Sequence, residues 1–353
     1  MSYDDGWAAL NLQMSDRVPR TEYSPEMHWE LIKEITDIQI TDDSTKQQRL
    51  EAQSAFRRAW NYDFVWRTLI LPEEFGQMRT KMGHAEYAED EGSQLDNEVS
   101  CPFKTPEDVL AFDPLTVYGQ KDKAELIARF EADYADACKQ TPDAVNMTGT
   151  YITCVSGLIE MFGWDMMLMA MGTDPDKFGE LTNRYAQWIQ QYFDALAESA
   201  VPVVMVHDDI VWTSGPFTSP NWYRQYIFPN YKKFFAPLRE AGKKIMYTCD
   251  GDYTVFIDDI AATGADGFVM EPVTDMAYIA ERYGKTHSFV GNADTQILLD
   301  GTKQQICDEV ARCMDIGKDC PGFFMAVGNH IPPNTPVENA LYYNEVYNEL
   351  GRR

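Results

Sequence analysis

The sequence predicts an α/β fold of the (β/α)8 barrel class, a TIM-like barrel that is distorted and carries helical and loop decoration at its mouth. Three observations predict it. Short apolar runs alternate with longer amphipathic stretches through the second half, the pattern of parallel strands joined by right-handed helical crossovers. About seven or eight such units can be counted, which suits a barrel better than an open sheet. No GxGxxG follows a strand, so a doubly wound sheet would lack its phosphate loop.

In chain order, residues 1–60 read as helical and polar. A first strand is expected within 64–71, and 75–115 as loop and short elements. A second strand is expected at 144–148, followed by helices at 156–171 and 175–200. Further strands are expected at 202–207, 244–248, 267–271, 287–291 and 323–327, because each is a short apolar run of buried-strand length. Between them, Pro220 begins a helix that Gly242 can stop. Helices are also expected at 253–263, 275–283, 302–317 and 335–350, the last with Thr335 as cap and Pro336 in the first turn. The chain reads as a single domain, 1–353, in which 1–115 holds the decoration and the first strand and 116–353 the main barrel.

The 353 residues carry 30 basic and 56 acidic side chains, a net charge of −26. Nucleic-acid binding needs a basic stripe to neutralise phosphates, so that class is excluded. Docking on anionic lipid is disfavoured for the same reason. No apolar run reaches the roughly 20 residues of a membrane span. The seven cysteines form no CxxC pair, which removes the zinc-ribbon and thioredoxin-type readings. Without signal-peptide features at the N-terminus, a reduced cytoplasmic setting is expected.

In a parallel barrel the reactive groups collect at the C-terminal ends of the strands. Nearly every expected strand end carries polar residues here: Thr148 and Tyr151; His207, Asp208 and Asp209; Cys249 and Asp250; Glu271; Asn292 and Asp294; Asn329 and His330. Taken singly, Asp209 and Asp294 read as helix caps. Together the strand ends point to the polar pocket of an enzyme. Cys249, His207, His330, Asp250 and Glu271 offer the thiolate, imidazole and carboxylate groups of a zinc site. Trp212 opens an aromatic stretch that reaches Tyr231. His84 lies in an acidic segment, GHAEYAEDEG, that could either cover the mouth or be plain solvated loop.

Several runs resemble the uroporphyrinogen decarboxylase superfamily: His207-Asp208-Asp209-Ile210, Gly215-Pro216-Phe217, Pro229-Asn230-Tyr231-Lys232, Gly264-Ala265-Asp266-Gly267, Glu271-Pro272, Gly291-Asn292-Ala293-Asp294 and Ile331-Pro332-Pro333-Asn334-Thr335-Pro336. The resemblance covers roughly Thr148 to the end and implies a distorted (β/α)8 barrel. It also implies one of two chemistries. Decarboxylases of the superfamily hold a tetrapyrrole polycarboxylate with an Arg-rich segment, RQAGRYLPEYR. Here that region reads Asp16-Arg17-Val18-Pro19-Arg20-Thr21-Glu22-Tyr23, with only two arginines for a substrate of eight carboxylates.

The other branch moves a methyl group to or from a corrinoid (cobalamin) carried by a partner protein. Its thiol-methylating members hold zinc with an HxC and a later Cys. The corresponding positions here are Tyr247-Thr248-Cys249 and Asn329, so only Cys249 matches. The resemblance therefore implies a corrinoid-dependent methyltransferase that demethylates a small methylated donor, of the methoxylated aromatic (O-demethylation) or methylamine type. The alternative is decarboxylation of a small or tetrapyrrole carboxylic acid. Asp250, His207, Glu271 and His330 are the expected catalytic groups. His84, Tyr151, Asp208, Trp212, Tyr247, Asn292, Asp294 and Asn329 are expected to bind substrate. A zinc ion, if held, would take Cys249, His330 and Glu271. The expected partners are a corrinoid protein and a small-molecule methyl donor, and the chain could act as a monomer or a homodimer.

Overall fold

The computed structural model describes residues 1–41, 43–70, 72–80 and 100–353. Eight strands occur among them: β1 (Phe64–Val65), β2 (Val145–Asn146), β3 (Thr148–Thr150), β4 (Val203–His207), β5 (Lys244–Cys249), β6 (Gly267–Met270), β7 (Ser288–Ala293) and β8 (Phe323–Val327). The chain divides into two compact units, each discontinuous in sequence. One comprises Met1–Trp66, Ala135–Asn146 and Asp266–Arg353; the other comprises Arg67–Tyr134 and Met147–Ala265. Residues 1–66 and 67–115, grouped together in the sequence reading, fall in different units.

In the unit containing residues 147–265, β3, β4 and β5 pair in parallel, with Thr150 opposite Val206 and His207 opposite Thr248. All five β4 residues are buried, which is why this strand reads as an unbroken apolar run rather than an alternating one. The other unit pairs β1 with β2 and runs β6–β7–β8 in parallel, with Val269 opposite Val290 and Ala293 opposite Val327. Each of β4 to β8 is followed by helix. This is the α/β alternation expected from the sequence.

Local differences have local causes. The 64–71 run forms strand only at Phe64–Val65, and Ile70 makes a single bridge to Thr150. The 144–148 run splits into β2 and β3. The helix begun by Pro220 breaks into Pro220–Tyr226 and Phe228–Glu240, since Pro229 has no N–H to continue the helical bonding. The helix Val155–Thr173 kinks at Gly163, whose φ of 71° only glycine adopts readily. The last helix starts at Val337 with Pro336 at its N-cap and no side-chain cap. Thr335, expected as the cap, instead offers its carbonyl oxygen to His28 Nε2 at 2.7 Å. Among the described residues no helix is long and apolar enough to cross a membrane.

Candidate active site

Among the described residues, the ends of β4 and β5 bring together an imidazole and two carboxylates. The parallel register sets His207 beside Thr248; Asp209 and Asp250 follow just beyond the two strand ends. Their ligand atoms, with His207, lie within 4.8 Å of one another. His207 Nε2 is 3.3 Å from Asp209 Oδ1, and the Asp250 backbone N–H donates to that same oxygen at 3.0 Å. The imidazole stacks on Tyr151 with ring centroids 4.2 Å apart and planes 11° apart. Its Nδ1 faces the Tyr151 carbonyl oxygen at 3.4 Å. Burial pushes the His207 pKa down, against the pull of Asp250 and Asp208, so the neutral ring is favoured at neutral pH. An imidazole with two carboxylates can hold a proton or a cation.

Asp208 does different work. It is fully buried, and its carboxylate accepts from the backbone N–H groups of Cys154 (3.0 Å) and Ser156 (2.7 Å) and from the Tyr231 hydroxyl (2.5 Å). These bonds satisfy orphan donors at the start of the Val155–Thr173 helix and place negative charge there. Ser156 Oγ in turn accepts from the Asp209 N–H at 2.8 Å. Tyr247 donates to the Asp208 carbonyl oxygen at 3.1 Å. Asp208 and Tyr247, expected to bind substrate, thus hold the strand end in place.

Trp212, 43% exposed, sits on the loop that follows β4. Its carbonyl oxygen accepts from the Asp252 N–H at 3.0 Å. A Cβ on Gly251 would come within 2.7 Å of that oxygen, so only glycine fits where the two loops meet. Trp164 and Phe217 pack on Trp212 with centroids 5.7 Å away in both cases. The Cys249 thiol is buried and donates to the Asp250 carbonyl oxygen at 3.1 Å. Burial, reinforced by Asp209, pushes its pKa well up, which opposes the thiolate that binds zinc.

In the other unit, Asn329 donates from Nδ2 to the Glu271 carboxylate and accepts the His330 N–H at 2.8 Å. His330 Nδ1 lies 2.6 Å from Ser24 Oγ. Asn292 is fully buried; it donates to the Glu271 carbonyl oxygen at 3.1 Å and accepts from Arg312 at 3.0 Å. Asp294 accepts from the Gln296 N–H at 2.9 Å and caps the Thr295–Asp300 helix, the cap role the sequence allows.

The uroporphyrinogen decarboxylase (URO-D) family model matches residues 83–350. The chain belongs to this family. Curated relatives in it include the uroporphyrinogen decarboxylases of Carboxydothermus hydrogenoformans, 25% identical over 75% of this chain and 73% of that protein, and of Thermus thermophilus, 28% identical over 48% of each. Pelobacter propionicus has another, 23% identical over 52% of each chain, so several of these matches span about half of the relative's length. A solved methyltransferase from Methanosarcina mazei is similar over 97% of this chain and 96% of its own, with a TM-score of 0.62 and 18% identity. That likeness carries the TIM-barrel-like fold expected from the sequence.

The family's decarboxylase branch raises the question of Arg17 and Arg20. Arg17 pairs with Asp63 at 2.5 Å and with Asp5 at 3.5 Å, and donates to the Tyr347 hydroxyl at 2.9 Å. Arg20 is fully buried: its Nε is 2.9 Å from Glu22, and its guanidinium lies over Trp60, Tyr347 and Tyr343 at 4.3, 4.7 and 5.0 Å. Both cations are engaged in holding the chain together.

Set against the residues expected from the sequence, the structure brings His207, Asp250, Tyr151 and Trp212 to adjoining strand ends, and Glu271, Asn329, Asn292 and His330 to a second set. Of the expected zinc ligands, Cys249 lies in one unit and Glu271 and His330 in the other; among the described residues a group that could hold an ion is His207, Asp209 and Asp250. His84 lies outside the described residues. Asp209, placed at the strand end by the sequence but read there singly as a cap, has its carboxylate 3.3 Å from His207 Nε2.

Proposed function

We propose that the chain transfers a methyl group from a small methylated donor to the cobalt of a corrinoid held by a separate protein. The observation that carries this reading is the His207–Asp209–Asp250 group at the ends of β4 and β5, flanked by Tyr151 and Trp212. In the reaction, the electron pair of Co(I) forms the new bond to the methyl carbon. The bond from that carbon to its oxygen or nitrogen breaks, and the leaving atom keeps the pair. An ether oxygen leaves poorly unless its charge is met by a proton or a Lewis acid. His207, Asp209 and Asp250 are the residues placed to supply that help, with Trp212 and Tyr151 offering aromatic faces to a ring or a methylammonium. Glu271 and His330 stand as a second catalytic candidate in the other unit, with Asn329 beside them.

Decarboxylation is the competing reading, since the curated relatives are called uroporphyrinogen decarboxylases. A polycarboxylate needs several fixed cations, and the pairing of Arg17 and Arg20 with Asp63 and Glu22 speaks against it.

The test is a methyl-transfer assay with purified protein, Co(I) cobalamin and a panel of methoxyarenes and methylamines. Methylcobalamin from at least one donor is expected. None from any donor, with carbon dioxide released from a carboxylate panel, overturns the reading.

A further inference from the structure

His207 is buried, and both of its ring nitrogens face oxygen atoms that accept hydrogen bonds. Nδ1 faces the Tyr151 carbonyl at 3.4 Å and Nε2 faces Asp209 Oδ1 at 3.3 Å. A neutral imidazole has one N–H and so satisfies one of these oxygens. With the proton on Nδ1, held by the backbone carbonyl, the Nε2 lone pair points at a carboxylate. In that tautomer a cation between Nε2 and Asp209 Oδ1 is attracted by both, whereas with the proton on Nε2 the ring donates to Asp209 instead. A backbone carbonyl on Nδ1 is also the outer partner that commonly fixes a metal-binding imidazole in the tautomer that frees Nε2.

The spacing agrees. Two ligand atoms, each about 2.0–2.2 Å from a tetrahedral ion, stand about 3.4 Å apart, and His207 Nε2 and Asp209 Oδ1 stand at 3.3 Å. The Asp250 carboxylate lies within 4.8 Å of both and is on an exposed residue, so a small side-chain rotation closes the third position. We propose that His207, Asp209 and Asp250 bind a divalent transition ion through Nε2 and one oxygen of each carboxylate.

One imidazole and two carboxylates form an N/O set suited to Zn2+ or Mn2+ rather than to a soft, thiolate-preferring ion. Three protein ligands leave at least one coordination position open, as in catalytic rather than structural sites. On the methyl-transfer reading, on which this last step alone rests, the ion supplies Lewis acidity to the oxygen of a methoxy donor.

Apo protein, prepared with a chelator, is titrated with Zn2+ alone by calorimetry and with Co2+ while its visible spectrum is followed. The expected result is one equivalent bound with an N/O-type spectrum. Asp250→Asn and His207→Gln are each expected to weaken binding at least tenfold, with circular dichroism unchanged. Asp250 is exposed, so its amide variant keeps the fold even if the His207 variant does not. The proposal is overturned by absent binding, by equal binding in Asp250→Asn, or by thiolate charge-transfer absorption that persists in that variant. Ion binding through these residues without methylcobalamin from any donor would overturn the methyl-transfer reading and leave the ion site standing. Methyl transfer by a protein that binds no ion would do the reverse.

Discussion

Arg20 with Glu22 and His207 with Asp209 are both pairs of a nitrogen base and a carboxylate, and they serve opposite ends. Around Arg20, Nε meets Glu22, Nη1 meets Asn344 and three aromatic faces enclose the group, with Nη2 left without a hydrogen-bond partner, while Glu22 also takes the Tyr343 hydroxyl at 2.8 Å and the Val327 N–H at 2.9 Å. That region uses charge to fasten the N-terminal segment to β8 and to the final helix. Around His207 the imidazole faces two oxygens with one proton to give, and the nearby Asp250 is exposed. There the same kinds of group are set to act on something else. Charges enclosed by partners hold a fold, and a titratable cluster that reaches solvent at a strand end marks a site.

The sharpest way to break this contrast is to remove one partner from each region. Arg20→Ala leaves Glu22 buried without its cation and is expected to cost about 3–5 kcal/mol in urea unfolding. Asp250→Asn, on an exposed residue, is expected to change stability by less than about 0.5 kcal/mol. If the two variants unfold alike, the division into fastening and acting charge fails.

Activity should separate them in the other direction. Asp250→Asn is expected to lower methylcobalamin formation about 100-fold, equivalent to about 2.7 kcal/mol of barrier, with the fold intact by circular dichroism. A loss below about threefold would move the chemistry away from this strand end and towards Glu271 and His330.

Much of this arrangement is legible in the sequence. β4, β5 and β8 are runs of apolar residues short enough to be strands and too short to be helices, and their expected and observed bounds agree to within a residue or two. The strand-end polar residues follow from the fold class alone. What the sequence hides is the choice between adjacent aspartates. In His207-Asp208-Asp209, the second residue reaches back more than 50 positions to the helix start at Cys154 and Ser156, a contact that no local pattern announces. The fate of Arg17 and Arg20 is hidden for the same reason, because Asp63, Tyr343 and Tyr347 are distant in sequence. Strand register is the missing information: it pairs His207 with Thr248, and just past those strand ends the Asp250 N–H bonds the Asp209 carboxylate.

Asp208 lies between the two extremes, a charge that fastens while holding its neighbour Asp209 in position. Tyr231→Phe removes one charge-assisted hydrogen bond to it and is expected to cost about 2 kcal/mol of stability. If Asp208 acts only through position, kcat should fall less than tenfold and KM should stay near its wild-type value. A large KM change would mean that Asp208 reaches the substrate after all.

The smallest effect tests a carboxylate that belongs to neither class. Glu160 is buried in the Val155–Thr173 helix, and burial, opposed by Arg79, raises its pKa to about 7 from 4.5. Arg79 is 3.9 Å away, while Thr80 bonds the Glu160 backbone carbonyl at 2.7 Å and not the carboxylate. Below pH 4.5 the group is protonated in both folded and unfolded chains and costs nothing. As pH rises towards 7 the unfolded chain gives up its proton first, so the folded state holds more protons and loses stability; above 7 the loss is complete. Glu160→Gln removes that cost and also removes one of the two carboxylates that face Arg79, the other being Glu73, so the net gain should be on the order of 1 kcal/mol at about pH 8 and vanish near pH 4.5. Urea unfolding of both proteins at the two pH values measures it. A variant that is less stable at the higher pH would show that the ion pair with Arg79 outweighs the burial, and would move Glu160 into the class of fastening charges with Glu22.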